Sequence, residues 1–313
     1  MKRLVFVVCV LSMLVFPVIA NLDFATATAA PRITCVDAKA IVGMTTSALT
    51  KKYGNPVRKE PSEYGFTWYV YNRDYKNFFM AGIRGSKVVA LYTTAKTMKY
   101  GSSFKLNSTK SAVRKNMGKP ISYIKSGNTV AVVPNASQKD MFTVGSNYVI
   151  AFYDLLAGSK VTSLMVVPIA DENSVTVSQK ALSSSLIAAY QRISVDLVNA
   201  SRARRGLKVL KTDTMNTKLA VSRSADMRNR NYFSHYTPEK KSPFDLAKKM
   251  GIKYKSMGEN IAFGNRNAML AHETFMNSSG HRSNILKSVY TKVGAGVAYG
   301  GSRYVLLTNI FSR

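Results

Sequence analysis

The first half of the chain alternates short polar helical stretches with runs of β-branched and aromatic residues. Ser47-Ala48-Leu49-Thr50-Lys51-Lys52-Tyr53-Gly54-Asn55-Pro56 reads as a helix stopped by glycine, and its pattern returns 64 residues later as Ser111-Ala112-Val113-Arg114-Lys115-Asn116-Met117-Gly118-Lys119-Pro120. Glycine supplies the left-handed terminal residue and proline prevents continuation. Strand-forming runs follow each helix: 67–71, 78–83 and 87–92 in the first copy, 130–133, 148–153 and 160–167 in the second. Gly85-Ser86-Lys87-Val88 and Gly158-Ser159-Lys160-Val161 predict the same hairpin turn in both copies. The repeats span about 41–99 and 105–168, each a helix followed by antiparallel strands, and together they make one small α+β domain over 21–172.

A polar stretch at 173–185 marks a linker, after which the period changes to that of helices. Leu186, Ala189, Ile193, Leu197 and Val198 share one face of a helix ending near Arg205-Gly206, and a second helix runs through Leu219, Ala220, Ser222, Arg223 and Met227. Ser242-Pro243-Phe244-Asp245 is a helix start with an N-cap serine, and Gly251 closes that helix. A fourth helix covers Ala268 to Ser278, and Val293 to Tyr299 and Tyr304 to Phe311 form a hairpin through Gly300-Gly301. Helices around a small antiparallel sheet give an α-β-α sandwich over 186–313, so the chain reads as α+β throughout.

Met1-Lys2-Arg3 followed by an apolar run to Ala20 reads as a secretory signal, with cleavage after Ala20 or, alternatively, after Ala29-Ala30. An uncleaved membrane anchor is the competing reading, since the run approaches spanning length. Cys9 would leave with the signal, which gives Cys35 no partner in the mature chain and excludes a disulfide framework. The formal net charge of +29 is shared by both halves. Diffuse basicity on a secreted protein suits an anionic cell-wall polymer or membrane surface, with solubility alone an equal explanation, and does not point to nucleic acid. Localisation outside the cell, with possible wall association, is therefore expected.

The N-terminal half has no histidine, and its Trp68, Tyr69 and Tyr71 read as core ahead of a carbohydrate-stacking face. Chemistry concentrates in the second half. Two of the three histidines, His235 and His281, flank Gly258-Glu259-Asn260-Ile261, and two imidazoles with one carboxylate could make one site. His272-Glu273 lacks the second histidine of a zinc-peptidase helix, because Met276 stands one turn on. Gly-x-Ser-x-Gly is absent, and a serine before Gly280 reads as a helix cap rather than a nucleophile.

Residues 187–312 resemble a domain of the CAP superfamily (cysteine-rich secretory, antigen 5 and pathogenesis-related proteins) in its bacterial, SCP-like form. The resemblance rests on Leu197-Val198-Asn199-Ala200-Ser201-Arg202, Tyr232-Phe233-Ser234-His235, Ser242-Pro243-Phe244, Gly258-Glu259-Asn260-Ile261, the run from Phe275 to Leu286, and Val293-Gly294-Ala295-Gly296-Val297. Pro61-Ser62-Glu63-Tyr64-Gly65 and Tyr71-Asn72-Arg73-Asp74-Tyr75 resemble the domain that precedes CAP domains in some secreted bacterial proteins.

The resemblance implies a cavity of two histidines and two acids, carried here by His235, Glu259 and His281, with Ser278 where the second acid usually stands. Asn260 and Asn284 are the supporting polar groups, and Glu273 lies on the wrong side of its helix to substitute. No cofactor is required, but His235, His281 and Glu259 are chemically sufficient to hold a divalent ion, zinc first by ligand type. The leading expectation is a binding protein for a small ligand, lipid or peptide. Its alternatives are a metal-assisted hydrolase with Glu259 as general base, and a basic envelope scaffold with a vestigial cavity.

Overall fold

The computed structural model describes residues 31–133, 136–177, 181–300 and 305–313. The expected signal segment 1–20, with both cleavage sites, lies outside them, as do Gly301 and Tyr304 of the C-terminal hairpin. Among the described residues no helix is long and apolar enough to cross a membrane.

The first half builds a seven-stranded antiparallel sheet in the order Lys139–Val144, Asn147–Asp154, Lys160–Pro168, Lys87–Thr93, Phe79–Arg84, Thr67–Tyr71, Arg58–Pro61. Its middle is the pairing of Lys160–Pro168 with Lys87–Thr93, which welds the later strands to the earlier ones. The helices Thr46–Tyr53 and Lys110–Met117 are built alike. Each begins at a threonine that caps the third residue on, and each ends at a glycine with positive φ, Gly54 or Gly118. Trp68 and Tyr71 are buried and Tyr69 is half-buried, as core residues are.

The shared hairpin turn does not hold. Arg84 pairs with Lys87 across a two-residue turn, whereas Asp154 pairs with Lys160 across five residues that include the 3-10 turn Leu155–Ala157. The longer loop reaches the second half of the protein, where Asn277 Oδ1 accepts from the Leu155 amide at 2.8 Å and Asp154 pairs with Arg282.

In the second half a four-stranded sheet runs Lys211–Thr212, Lys292–Tyr299, Val305–Ser312, Met257–Phe263. The helix Ser184–Arg204 starts at the Ser183 cap, Thr214–Asn229 starts at Asp213, and Pro243–Lys249 carries the expected capping box between Ser242 and Asp245. The fourth helix stops earlier than expected, at Ala268–Met276. A further helix, Ser279–Leu286, follows. Ser278 occupies the N-cap position of that helix without a side-chain capping bond, so the capping role expected from sequence is positional only.

The Thr214–Asn229 helix lies unusually close to its sheet because Gly294 and Gly296 leave room for its backbone. A Cβ on Gly296 would overlap Ala220 and Val221 main-chain atoms, which cannot swing aside as a side chain can. Gly296→Ala is expected to unfold the second half at temperatures the native protein survives. A melting curve within a degree or two of wild type would contradict this.

The polar stretch expected as a linker at 173–185 begins as the helix Ile169–Val177, with Glu172 buried. Each half also has buried clusters of its own, one around Leu49, Phe79 and Val149 and smaller ones around Leu219 and Met227, but a further cluster spans the two. That cluster joins Tyr64, Phe66 and Trp68 to Leu186, Tyr190 and Ile193 and continues through Met269 and Phe275 to Phe311.

Four carboxylates of the first half, Glu60, Glu63, Asp154 and Glu172, find partners on the second half. Glu60 takes both arms of Arg192 at 2.6 Å, Asp196 pairs with Arg58 and accepts from Asn72 and Tyr75, and Glu172 pairs with Arg266. Glu273 is buried against Tyr92, which donates to it at 2.7 Å, and Ser163. Beside it, fully buried His272 lies 2.8 Å from Ser201 Oγ at a cavity of about 10 Å³, room for one water.

Candidate functional site

Three segments meet at one edge of the second sheet. Glu259 sits on the strand Met257–Phe263, paired opposite Ile310, and is 6 % exposed. Its Oε1 accepts from His235 Nδ1 at 2.8 Å, and its Oε2 accepts from Arg223 Nε at 2.9 Å. Because the carboxylate only accepts, the His235 proton sits on Nδ1, and the half-exposed ring turns Nε2 away from that bond.

Arg223 is the residue that sequence reasoning passed over. It occupies the apolar stripe of its helix, four residues after Leu219 and four before Met227, and is completely buried. Its Nη1 donates to Tyr232 Oη at 2.9 Å and its Nη2 to the Ser234 carbonyl at 2.6 Å. Burial alone would lower its pKa, but Glu259 and Tyr232 outweigh that and raise it. A cation in an inward-facing stripe was the available signal, since burial of arginine requires a partner. The guanidinium thus holds the 232–235 loop and the Glu259 strand in one register, and presents His235 at the surface.

Asn260 and Asn284 fasten the other side. Asn260 is fully buried behind the strand and donates to the His281 carbonyl at 3.0 Å, while Asn284 Nδ2 donates to Asn260 Oδ1 at 2.9 Å and to the Glu259 carbonyl at 3.2 Å. Gly258 permits this approach, because a Cβ there would lie 2.5 Å from Tyr290 Oη. His281 packs against Phe275 with ring centroids 5.0 Å apart. Burial, and secondarily the proximity of His235, lower its pKa and favour the neutral ring.

A cleft of about 300 Å³ opens beside this network, with His235, Glu259 and Asn284 in its wall. Tyr236 and Phe244, 56 % and 43 % exposed, stand at its rim with Lys287, and Tyr290 forms part of the floor. Among the described residues every one that lines it lies between 235 and 290, and none comes from the first half of the chain. Of the expected cavity residues, His281, Asn260 and Ser278 are not in its wall. Ser278 is half-buried at the helix start, and Glu273 points into the interface between the halves.

The expected metal ligands do not converge as a donor set. Both Glu259 oxygens are engaged, one by a buried cation, and among the described residues no three His, Cys, Asp or Glu side chains are placed to hold a metal ion. As built, the residues do not fit a metal centre.

Two family models divide the chain: CAP-associated N-terminal over residues 42–174, and the cysteine-rich secretory protein family over 195–311. The chain belongs to the CAP superfamily. It is 44% identical to YkwD of Bacillus subtilis over 118 residues, which are 38% of this chain and 46% of that protein, so the match spans less than half of that relative. It is 29% identical to YlbC, named a membrane protein of Bacillus subtilis, over 280 residues, covering 82% of this chain and 79% of that one.

Two solved structures share the whole architecture. One is an extracellular protein containing an SCP domain from Bacillus anthracis, with a TM-score of 0.75, 23% identity and coverage of 92% of this chain and 98% of that chain. The other is a cysteine-rich secretory protein from Staphylococcus aureus, with a TM-score of 0.69, 18% identity and coverage of 88% and 94%. At these identities the likeness is one of fold. It places the CAP fold and the preceding sheet-rich domain in one recurrent arrangement.

Proposed function

We propose that this CAP protein acts outside the cytoplasm as a binding protein whose cleft beside His235 and Glu259 receives a ligand. The observation that carries the reading is the state of Glu259. A general base needs an oxygen facing substrate, and this side chain is only 2 % exposed, with both carboxylate oxygens already accepting from a buried arginine or from His235. It acts as the anchor of a preorganised wall, while the exposed aromatic rings at the rim supply contact area. The metal-assisted hydrolase draws less support, since a metal on Glu259 would have to displace the His235 bond and sit close to the buried Arg223 cation.

An extracellular setting is supported by the basic and apolar leader at 1–20 and by the printed description of the Bacillus anthracis protein. The membrane name of YlbC favours retention at the envelope over free release. Anionic wall polymers or membrane surfaces, and lipids or peptides in the cleft, are the partners this reading admits.

Calorimetric titration of the full chain with zinc, beside the His235→Ala/His281→Ala double variant, tests it. The expected outcome is no stoichiometric zinc binding. One-to-one binding that disappears in a folded double variant would overturn the reading and favour the hydrolase.

A further inference from the structure

The cleft does not end at Tyr290. That residue also lines a second, larger groove of about 760 Å³, together with Arg202, Lys208, Val209, Lys211 and Lys292. Lys287 stands at the junction, its Nζ 5.5 Å from the Tyr290 ring centroid. The two concavities are therefore neighbours across one aromatic ring, two adjoining grooves that together make a track on the second half of the chain.

Charge along the track is one-sided. Among the described residues no carboxylate lines the larger groove, and the only one in the smaller cleft is Glu259, already paired with a buried guanidinium. Lys208, Lys211 and Lys287 are exposed on it. Lys292 is partly offset by Asp213, 2.9 Å from its Nζ. Although the basic charge is spread over the whole sequence, the fold gathers an uncompensated part of it into a groove, where a concave surface focuses the field.

Apolar contacts are arranged along the same track. Tyr236 and Phe244 stand exposed at one end, and the 47 % exposed Val209 lies in the other groove. Flat rings beside hydroxyl, amide and imidazole groups suit the faces and edges of sugar rings, and lysines farther along suit repeated anions. We infer that this track binds a linear glycan carrying an anionic group on its repeat unit, with sugar rings against Tyr236 and Phe244 and the anions along Lys287, Lys208 and Lys211. The inference rests on the binding reading of the cleft and assigns the class of its ligand.

The test is fluorescence anisotropy with a labelled hyaluronan oligosaccharide, a carboxylated linear glycan, at near-physiological salt and with the full chain. Neutral chitin oligosaccharide, single-stranded DNA and anionic phospholipid vesicles are the comparison ligands. Lys208→Glu/Lys211→Glu is expected to weaken hyaluronan binding about tenfold or more, and Tyr236→Ala/Phe244→Ala by about fivefold with an unchanged salt dependence. All four positions are exposed, and thermal melting verifies that the variants fold. Lys51→Glu/Lys52→Glu, on the helix Thr46–Tyr53, is expected to change affinity less than about twofold.

An equal loss in that distant pair would mean diffuse attraction and overturn the inference. So would an aromatic variant that binds normally, tighter binding of DNA or vesicles than of hyaluronan, or no hyaluronan binding at all. Failure here with no zinc uptake removes the glycan and leaves the cleft reading standing. Stoichiometric zinc uptake removes the cleft reading itself.

Discussion

Replacing Arg223 with alanine is expected to cost about 3–5 kcal/mol of stability, read as a lowered urea midpoint at unchanged slope. The side chain is fully buried and the Glu259 side chain only 2 % exposed, so removing the cation leaves a carboxylate in a low-dielectric interior with no comparable partner. Tyr232 Oη and the Ser234 carbonyl lose their donor in the same step. Arg223→Lys keeps the charge but cannot reach all three acceptors from one planar fork, and should fall between wild type and alanine. The double variant Arg223→Met/Glu259→Leu should recover much of the loss, because it removes the unpaired charge along with the pair. A cost below about 1 kcal/mol for Arg223→Ala would mean that the network does not hold this edge of the sheet.

Acid is expected to loosen the joint between the halves through His272. Burial first, then Arg204 and Arg205, lower its pKa from 6.5 to about 3. The unfolded chain therefore binds a proton at His272 that the folded chain refuses between those values, so stability falls as pH drops from 6.5 toward 3. The full effect is at most about 5 kcal/mol. Glu273 works in the opposite sense. Burial raises its pKa, so the folded state holds that proton more tightly, and the stability it adds is present in acid and lost as pH rises through the folded value. Comparing wild type with His272→Gln isolates the histidine: the wild-type urea midpoint should drop more steeply between pH 6.5 and 4. Parallel curves would assign the acid sensitivity to other groups.

Much of the framework was legible in the sequence because elements are encoded by local period and local stops. The alternating runs at 67–71, 87–92 and 148–153 became strands, and the Ser242 capping box and Gly54 and Gly118 stops lie where their chemistry required. The turn at Gly158 misled because the same four residues sit behind a loop whose length depends on what it must touch, here Asn277, 122 residues away. The fourth helix, expected to run to Ser278, ends at Met276, and a separate helix, Ser279–Leu286, begins beyond Ser278 with Gly280 in its first turn.

At the site, the pairing of His235 with Glu259 could be anticipated from residue type, whereas the role of Arg223 could not be separated from that of a surface arginine without knowing that its stripe faces inward. His281 was placed with the cavity by residue type and by resemblance and Ser278 by resemblance alone, and the structure leaves both out of the cleft wall.

By itself, then, the sequence determined the order of most helices and strands, the CAP pattern from Leu197 to Val297, the basic balance and the candidate trio of His235, Glu259 and His281, of which the structure bonds the first two directly. Tertiary structure decided which charges matter. Glu60 and Arg192 are 132 positions apart, and Asp154 and Arg282 are 128 apart. No local pattern links them. They are joined because the two halves close over a shared apolar cluster, and a charge caught at that boundary must find a partner or pay the full cost of leaving water.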